Sequence, residues 1–356
     1  MTKLLEMKNT TQTVLWNDSC ALGELSSSIE KNGTVGATCN PVIVMEVLKK
    51  EFNLWKDRLP ELIKELPKAT EGEIGWRLVE EMSIKAAKLL EPAFKASKGR
   101  DGRLSIQTDP RFFRDADRMV EQAVHFSSLA PNIIVKLPVT STGVKAIEEA
   151  TARGVSINAT VSFSVPQALA VAEAVERGLK RREKAGEDIS SMGPVCTIMV
   201  GRLDDWLKVV ANKEDIICNP EILEWAGVAA MKKAYKIYRE RKYRLRLLSA
   251  AFRNHMHWSE FIGGDVVISP PYKWQERFNG SSVKVEGRMD NPVAAETLKE
   301  LQENFSEFRK AYDEEGMSVT DFDTFGPTLR TLRQFSAACH DLETFIRDHL
   351  IPNPDK

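Results

Sequence analysis

No run approaches the 18 uninterrupted apolar residues that crossing a bilayer requires. The opening residues 1–16 carry neither an apolar core nor a small-residue cleavage site, so a cytoplasmic location is expected. Cysteine is scarce and scattered: Cys20, Cys39, Cys196, Cys218 and Cys339 are odd in number and form no CxxC pair. That pattern argues against a disulfide framework and for reduced thiols. Charge of either sign is not in excess, with 50 Lys plus Arg against 51 Asp plus Glu, so nothing at whole-chain level draws nucleic acid or an anionic membrane. Neither GxGxxG nor GxxxxGK[ST] follows the first candidate strand, which disfavours a doubly wound nucleotide-binding sheet. No repeat or long Pro/Gly/Ser-rich segment divides the chain.

What is present is an alternation. Short β-rich runs at 13–18, 34–39, 103–109, 132–138, 156–163, 195–202, 244–252 and 265–269 are mostly separated by helical patterns. Helices are expected over 166–178, between a Pro and a Gly, and over 221–239. Eight strands with helices between them predict a single (β/α)8 barrel over 1–356, of α/β class. The surplus length falls in a helical insertion at 46–98 and a helical C-terminal segment at 293–356.

The most informative run is Asn132-Ile133-Ile134-Val135-Lys136-Leu137-Pro138-Val139, where Lys136 is the one ionisable group in an apolar strand. A strand covered on both faces leaves that amine no easy route to water. Desolvation favours its neutral form, which can attack a carbonyl. A Lys at a strand end can instead snorkel outward. The next strand sharpens the case, because Ser156, Asn158, Thr160 and Ser162 alternate with Ile157, Ala159, Val161 and Phe163. Helices on the apolar face would aim the polar stripe into the barrel, where it must bond itself, water or a ligand.

At these residues the sequence resembles the transaldolase family. The resemblance is carried by Lys136-Leu137-Pro138-x-Thr140-x-x-Gly143, Gly154-x-x-x-Asn158-x-Thr160, Val200-Gly201-Arg202 and Phe252-Arg253-Asn254. Asp18 and Ala37-Thr38-Cys39-Asn40-Pro41 extend it, in family order, over 13–270. It implies a cofactor-free, metal-free Schiff-base mechanism in which Lys136 attacks the keto carbon of a sugar phosphate. Asp18 would take the C4 hydroxyl proton, and Thr160 would hold a catalytic water. Thr38, Asn40 and Asn158 would contact the dihydroxyacetone unit, Thr197 and Met199 would line its site, and Arg202 and Arg253 would grip the phosphate.

Four positions depart from the pattern. Gln107 stands where transaldolases carry a Glu, and an amide positions a water without exchanging its proton. Gln is the residue of the related fructose-6-phosphate aldolases, which release dihydroxyacetone, yet Met199 replaces their Tyr and fills the site much as a Phe does. Thr197 and Ala251 replace two serines. The expected activity is therefore transaldolase, with aldol cleavage or sugar-phosphate binding without turnover as the alternatives. Sugar phosphates are the expected partners; the sequence leaves oligomeric state open and is compatible with a homodimer.

Three other features are weighed and set aside. His255-Met256-His257 lacks a third ligand at a metal-site spacing, so ordinary loop histidines are expected. Lys232 to Arg246 holds eight basic residues around Tyr235, Tyr238 and Tyr243, read as a solvated helix end and not a nucleic-acid surface. Cys20 and Cys39 have no neighbouring His in sequence and are assigned no catalytic role.

Overall fold

The computed structural model describes residues 1–355. All eight expected strands form, each shorter than its apolar run: β1 Val14–Leu15, β2 Gly36–Thr38, β3 Arg103–Gln107, β4 Ile133–Pro138, β5 Ile157–Thr160, β6 Val195–Ile198, β7 Arg246–Ser249 and β8 Val267–Ile268. They pair in parallel in the order β1-β8-β7-β6-β5-β4-β3-β2. An isolated parallel bridge between Asn17 and Ala37 joins the two ends and closes the ring. With helices between successive strands, this is a (β/α)8 barrel.

Inside the ring, Trp16, Val35, Ile134, Val195, Leu248 and Val267 form their own buried cluster. Trp16 fits because β2 offers Gly36 opposite it, where a Cβ would lie 2.5 Å from the indole. The outer faces of the strands pack against the helices in a second, larger core.

Four sequence expectations need correction. The run 195–202 is not one strand: β6 ends at Ile198, and Val200–Lys213 is helical, so Gly201 and Arg202 sit on a helix. The alternation over 156–163 stops at Thr160, because Val161 adopts a left-handed backbone (φ 55°) and breaks the stripe before Ser162. The run 221–239 divides into a 3-10 segment, Pro220–Trp225, and the helix Ala226–Arg241. The helix expected over 166–178 instead covers Val165–Lys184. Gly178 therefore ends nothing. A Cβ there would meet the Glu148 carbonyl and the Thr151 side chain at 2.7 Å, so the glycine permits close packing on the helix Ser141–Ala152.

Between β2 and β3 lie the helices Pro41–Lys50, Phe52–Trp55, Arg58–Glu65 and Glu71–Ala96. After β8, the long helix Gly326–Leu350 returns across the C-terminal ends of the strands, docking its first residue on Trp206, where a Cβ at Gly326 would lie 2.0 Å from the ring. Among the described residues no helix is long and apolar enough to cross a membrane.

Gly36→Ala tests the barrel interior. Overpacking against Trp16 is expected to cost about 1–3 kcal/mol, read as a lower urea midpoint at unchanged slope.

Candidate active site

Lys136 projects from the C-terminal half of β4, and its Cα registers with Gln107 on β3 and Asn158 on β5. The strand is fixed beyond Lys136 by its own motif. Thr140 caps the next helix by accepting from the Gly143 N–H at 2.9 Å. Gly143 in turn lies so close to the Pro138 carbonyl that a Cβ would overlap it at 1.8 Å. Thr and Gly at these spacings thus clamp the helix onto the end of the lysine strand.

The Lys136 side chain is buried, and among the described residues no carboxylate comes within ion-pair distance of it. Burial lowers its pKa, opposed by the charge of Asp18 and by nearby Cys39 and Cys20. Around it, buried polar groups bond one another. Asn158 donates to Ser105 Oγ at 3.0 Å and accepts from Thr197 Oγ1 at 2.7 Å, which fixes its amide across three strands. Thr160 is buried at the end of β5. Gln107, in register with Lys136 on the neighbouring strand, is buried with its Oε1 unpartnered.

Asp18 follows β1 and is partly accessible. Thr38 Oγ1 donates to Asp18 Oδ1 and lies 3.2 Å from Ser269 Oγ. Burial raises the Asp18 pKa, while Lys136, the Thr38 hydrogen bond and Arg202 oppose the rise. A partly accessible acid and a buried amine, each pushed toward its neutral form and close enough to feel the other, form an arrangement suited to moving a proton. Asn40 is more constrained than its sequence suggests. Its Oδ1 caps the helix Pro41–Lys50, accepting from Val42 and Ile43 at 3.0 and 3.1 Å, which leaves its Nδ2 as the free group. Cys20 and Cys39 sit beside this pair with their sulfurs 3.1 Å apart, both reduced.

Arg202 and Arg253 line one cavity of about 350 Å³ with Asp205, Pro327, Arg330, Thr331 and Gln334. Burial and the neighbouring Arg253 lower the Arg202 guanidinium to about 10. Its Nη1 donates to Thr331 Oγ1 at 3.3 Å, its Nε is buried without a partner, and its face lies 5.6 Å from the Phe335 ring. Arg253 is more exposed and pairs with Asp205 at 2.9 Å. Met199 ends the stretch between β6 and the Arg202 helix and is buried. Three guanidinium groups face one carboxylate here, so the cavity suits a dianion.

Sequence reasoning missed Arg330, Thr331 and Phe335, because nothing local tells that Gly326–Leu350 lies over the strand ends. The helix is also tethered by Glu343, which accepts from Arg111 at 2.7 Å, while Arg111 pairs with Asp109 at the end of β3. His257 also differs from expectation. It is fully buried, 2.8 Å from Asp204, and not a loop residue with ordinary solvent contacts. The basic run 232–246 is engaged in ion pairs, including Lys232 with Glu260, Arg239 with Asp290 and Arg244 with Glu176. A cleft of about 820 Å³ borders that run outside the barrel and holds none of the groups around Lys136. Among the described residues no group of three or more His, Cys, Asp or Glu is placed to hold a metal ion.

A sequence profile for the family described as Transaldolase/Fructose-6-phosphate aldolase matches residues 15–344. Among curated relatives, a Transaldolase from Mycobacterium ulcerans (strain Agy99) is 32% identical over 232 residues, which is 64% of this chain and 60% of that protein. A Transaldolase from Thermobifida fusca (strain YX) is 33% identical over 224 residues, 61% of this chain and 59% of that protein. The chain thus spans about three-fifths of the length of the curated relatives it matches.

Because folding depresses the Lys136 pKa, the native state holds this proton less tightly than the unfolded chain. Wild-type stability should therefore rise with pH across the window from the depressed value up to the ordinary lysine value. Lys136→Met removes the buried amine and its desolvation cost, and is expected to stabilise the fold at neutral pH by roughly 1–4 kcal/mol. That advantage should shrink as pH climbs through the same window, followed by urea unfolding at several pH values.

Proposed function

We propose, from the premise that this chain belongs to the transaldolase/fructose-6-phosphate aldolase family, that it is a transaldolase acting in sugar-phosphate metabolism. It moves a dihydroxyacetone unit from a ketose phosphate, such as fructose 6-phosphate or sedoheptulose 7-phosphate, to an aldose phosphate. The observation that carries the reading is the Lys136 amine, buried without a carboxylate partner in a ring of polar side chains.

In this reading the neutral Lys136 amine attacks the C2 carbonyl of the ketose and water departs to leave an imine. Asp18, its pKa raised by burial, takes the C4 hydroxyl proton as the C3–C4 bond breaks and the aldose leaves. The carbanion at C3 is delocalised into the imine as an enamine, which then attacks the carbonyl of the acceptor. Asp18 returns its proton to the new hydroxyl, and hydrolysis of the imine frees Lys136. Thr160 and the unpartnered Gln107 Oε1 hold the water that enters and leaves at the imine. Thr38 sets the rotamer of Asp18, while Asn158 and the free Nδ2 of Asn40 hold the hydroxyls of the dihydroxyacetone unit. Thr197 and Met199 line that unit, and Arg202 and Arg253 bind the phosphate in the neighbouring cavity. The chain works as one cytoplasmic domain, with the helices in 46–98 and 293–356 as additions around the barrel.

Borohydride reduction in the presence of fructose 6-phosphate should leave a three-carbon adduct on Lys136, read by mass spectrometry; no adduct would overturn the mechanism. Turnover that requires erythrose 4-phosphate marks transfer, whereas equal release of dihydroxyacetone without it marks aldol cleavage. Asp18→Ala should slow carbon–carbon cleavage by a factor on the order of 10²–10⁴ and spare imine formation. Equal slowing of both steps would contradict the role given to Asp18.

A further inference from the structure

Two buried ionisable side chains stand behind the arginine cavity without lining it. Asp204 lies two residues after Arg202 on the helix Val200–Lys213, and His257 lies in the short helix Met256–Ser259 after β7. Both are wholly shielded from solvent. His257 Nδ1 accepts the Arg253 backbone N–H at 3.1 Å, so that nitrogen carries no proton. The ring proton therefore sits on Nε2 and is donated to Asp204 Oδ2 at 2.8 Å. Asp204 Oδ1 accepts from the Gly227 N–H at 2.8 Å. The surroundings leave little play. Gly201 presses on both neighbours: a Cβ there would lie 2.6 Å from Arg253 Cγ and 3.1 Å from His257 Cε1.

We infer that His257, oriented by Asp204, is a positioning residue that holds Arg253 at the spacing from Arg202 that a phosphate dianion requires. The inference rests on the reading of that cavity as the phosphate site. The Arg253 guanidinium is paired with Asp205. A phosphate that draws the guanidinium away removes that tie. The backbone bond to His257 is then what keeps the residue in place. Asp204 is on the same helix as Arg202, so one buried pair couples the supports of both guanidinium groups. An apolar pair would fill the same volume at lower desolvation cost, but it could not accept the Arg253 N–H.

The test uses the full chain and inorganic phosphate as probe, by calorimetry without turnover. His257→Ala is expected to weaken phosphate binding at least about fivefold, and His257→Asn, whose Oδ1 can accept the Arg253 N–H, to recover most of it. On an Arg253→Gln background, His257→Ala should cost nothing further. Borohydride trapping of unphosphorylated dihydroxyacetone on Lys136 should proceed alike in wild type and His257→Ala. Unchanged phosphate affinity, additive losses in the double variant, or an equal loss of dihydroxyacetone trapping would each overturn the inference. If His257→Ala does not fold, Asp204→Asn and His257→Asn decide: a loss in the first that is milder in the second supports it, and any other pattern overturns it. A wild-type chain that binds phosphate but traps no adduct sinks the Schiff-base reading and leaves the His257 measurement decisive. A wild-type chain that binds no phosphate overturns the inference together with the phosphate-site reading on which it rests, and leaves the Schiff-base chemistry to the adduct.

Discussion

The structure turns on one unpaid desolvation: a lysine amine inside a ring of strands with, among the described residues, no carboxylate close enough to pair with it. A buried ammonium is ordinarily neutralised by a salt bridge, and that solution would hold the amine in its charged form. Here the counter-charge is kept at a distance. Asp18 acts through space and is itself biased toward its protonated form, and Thr38 holds it by a hydrogen bond. The remaining polar groups satisfy each other, as Asn158 does with Ser105 and Thr197. The strands below are filled by Trp16 and its aliphatic neighbours, so the polar ring has a rigid apolar floor. Precision at the amine thus comes from neighbours such as Asn158 whose hydrogen bonds are already made within the protein, while Gln107 Oε1 is left open.

Motif residues that read as chemistry often prove to be carpentry. Gly143 and Thr140 clamp the helix after the lysine strand, and Asn40 gives its carbonyl to a helix cap. Gly201 lets the Arg202 helix press against the loop that bears Arg253. Such residues fix where the reacting groups stand, and a spacing in sequence records that fixing as faithfully as it records catalysis.

The eight strands were legible because each is a brief β-branched or apolar run, and their order dictates a closed parallel ring. Lys136 was legible as a charge out of place, and the polar stripe on β5 as an alternation. Strand ends were less so. Val200 continues the apolar run of β6 although the chain has already turned into a helix, and the left-handed Val161 leaves no mark in composition. The roof was illegible for a different reason. Arg330, Thr331 and Phe335 belong to an ordinary amphipathic helix, and only long-range packing on Trp206 and the Arg111–Glu343 pair aims it across the strand ends. The buried Asp204–His257 pair was hidden likewise, because an aspartate on a helix and a histidine after a strand are unremarkable until the fold joins them.

That long helix begins at Gly326, well after β8 closes at Ile268. During synthesis the strand ring and its amine are therefore complete while the cover is still untranslated. A nascent chain that has reached β8 carries Lys136 without that cover and only two of the three guanidinium groups of the cavity. The third guanidinium, Arg330, joins the cavity only with that helix, so the order of translation postpones its assembly until the strands of the barrel have been made.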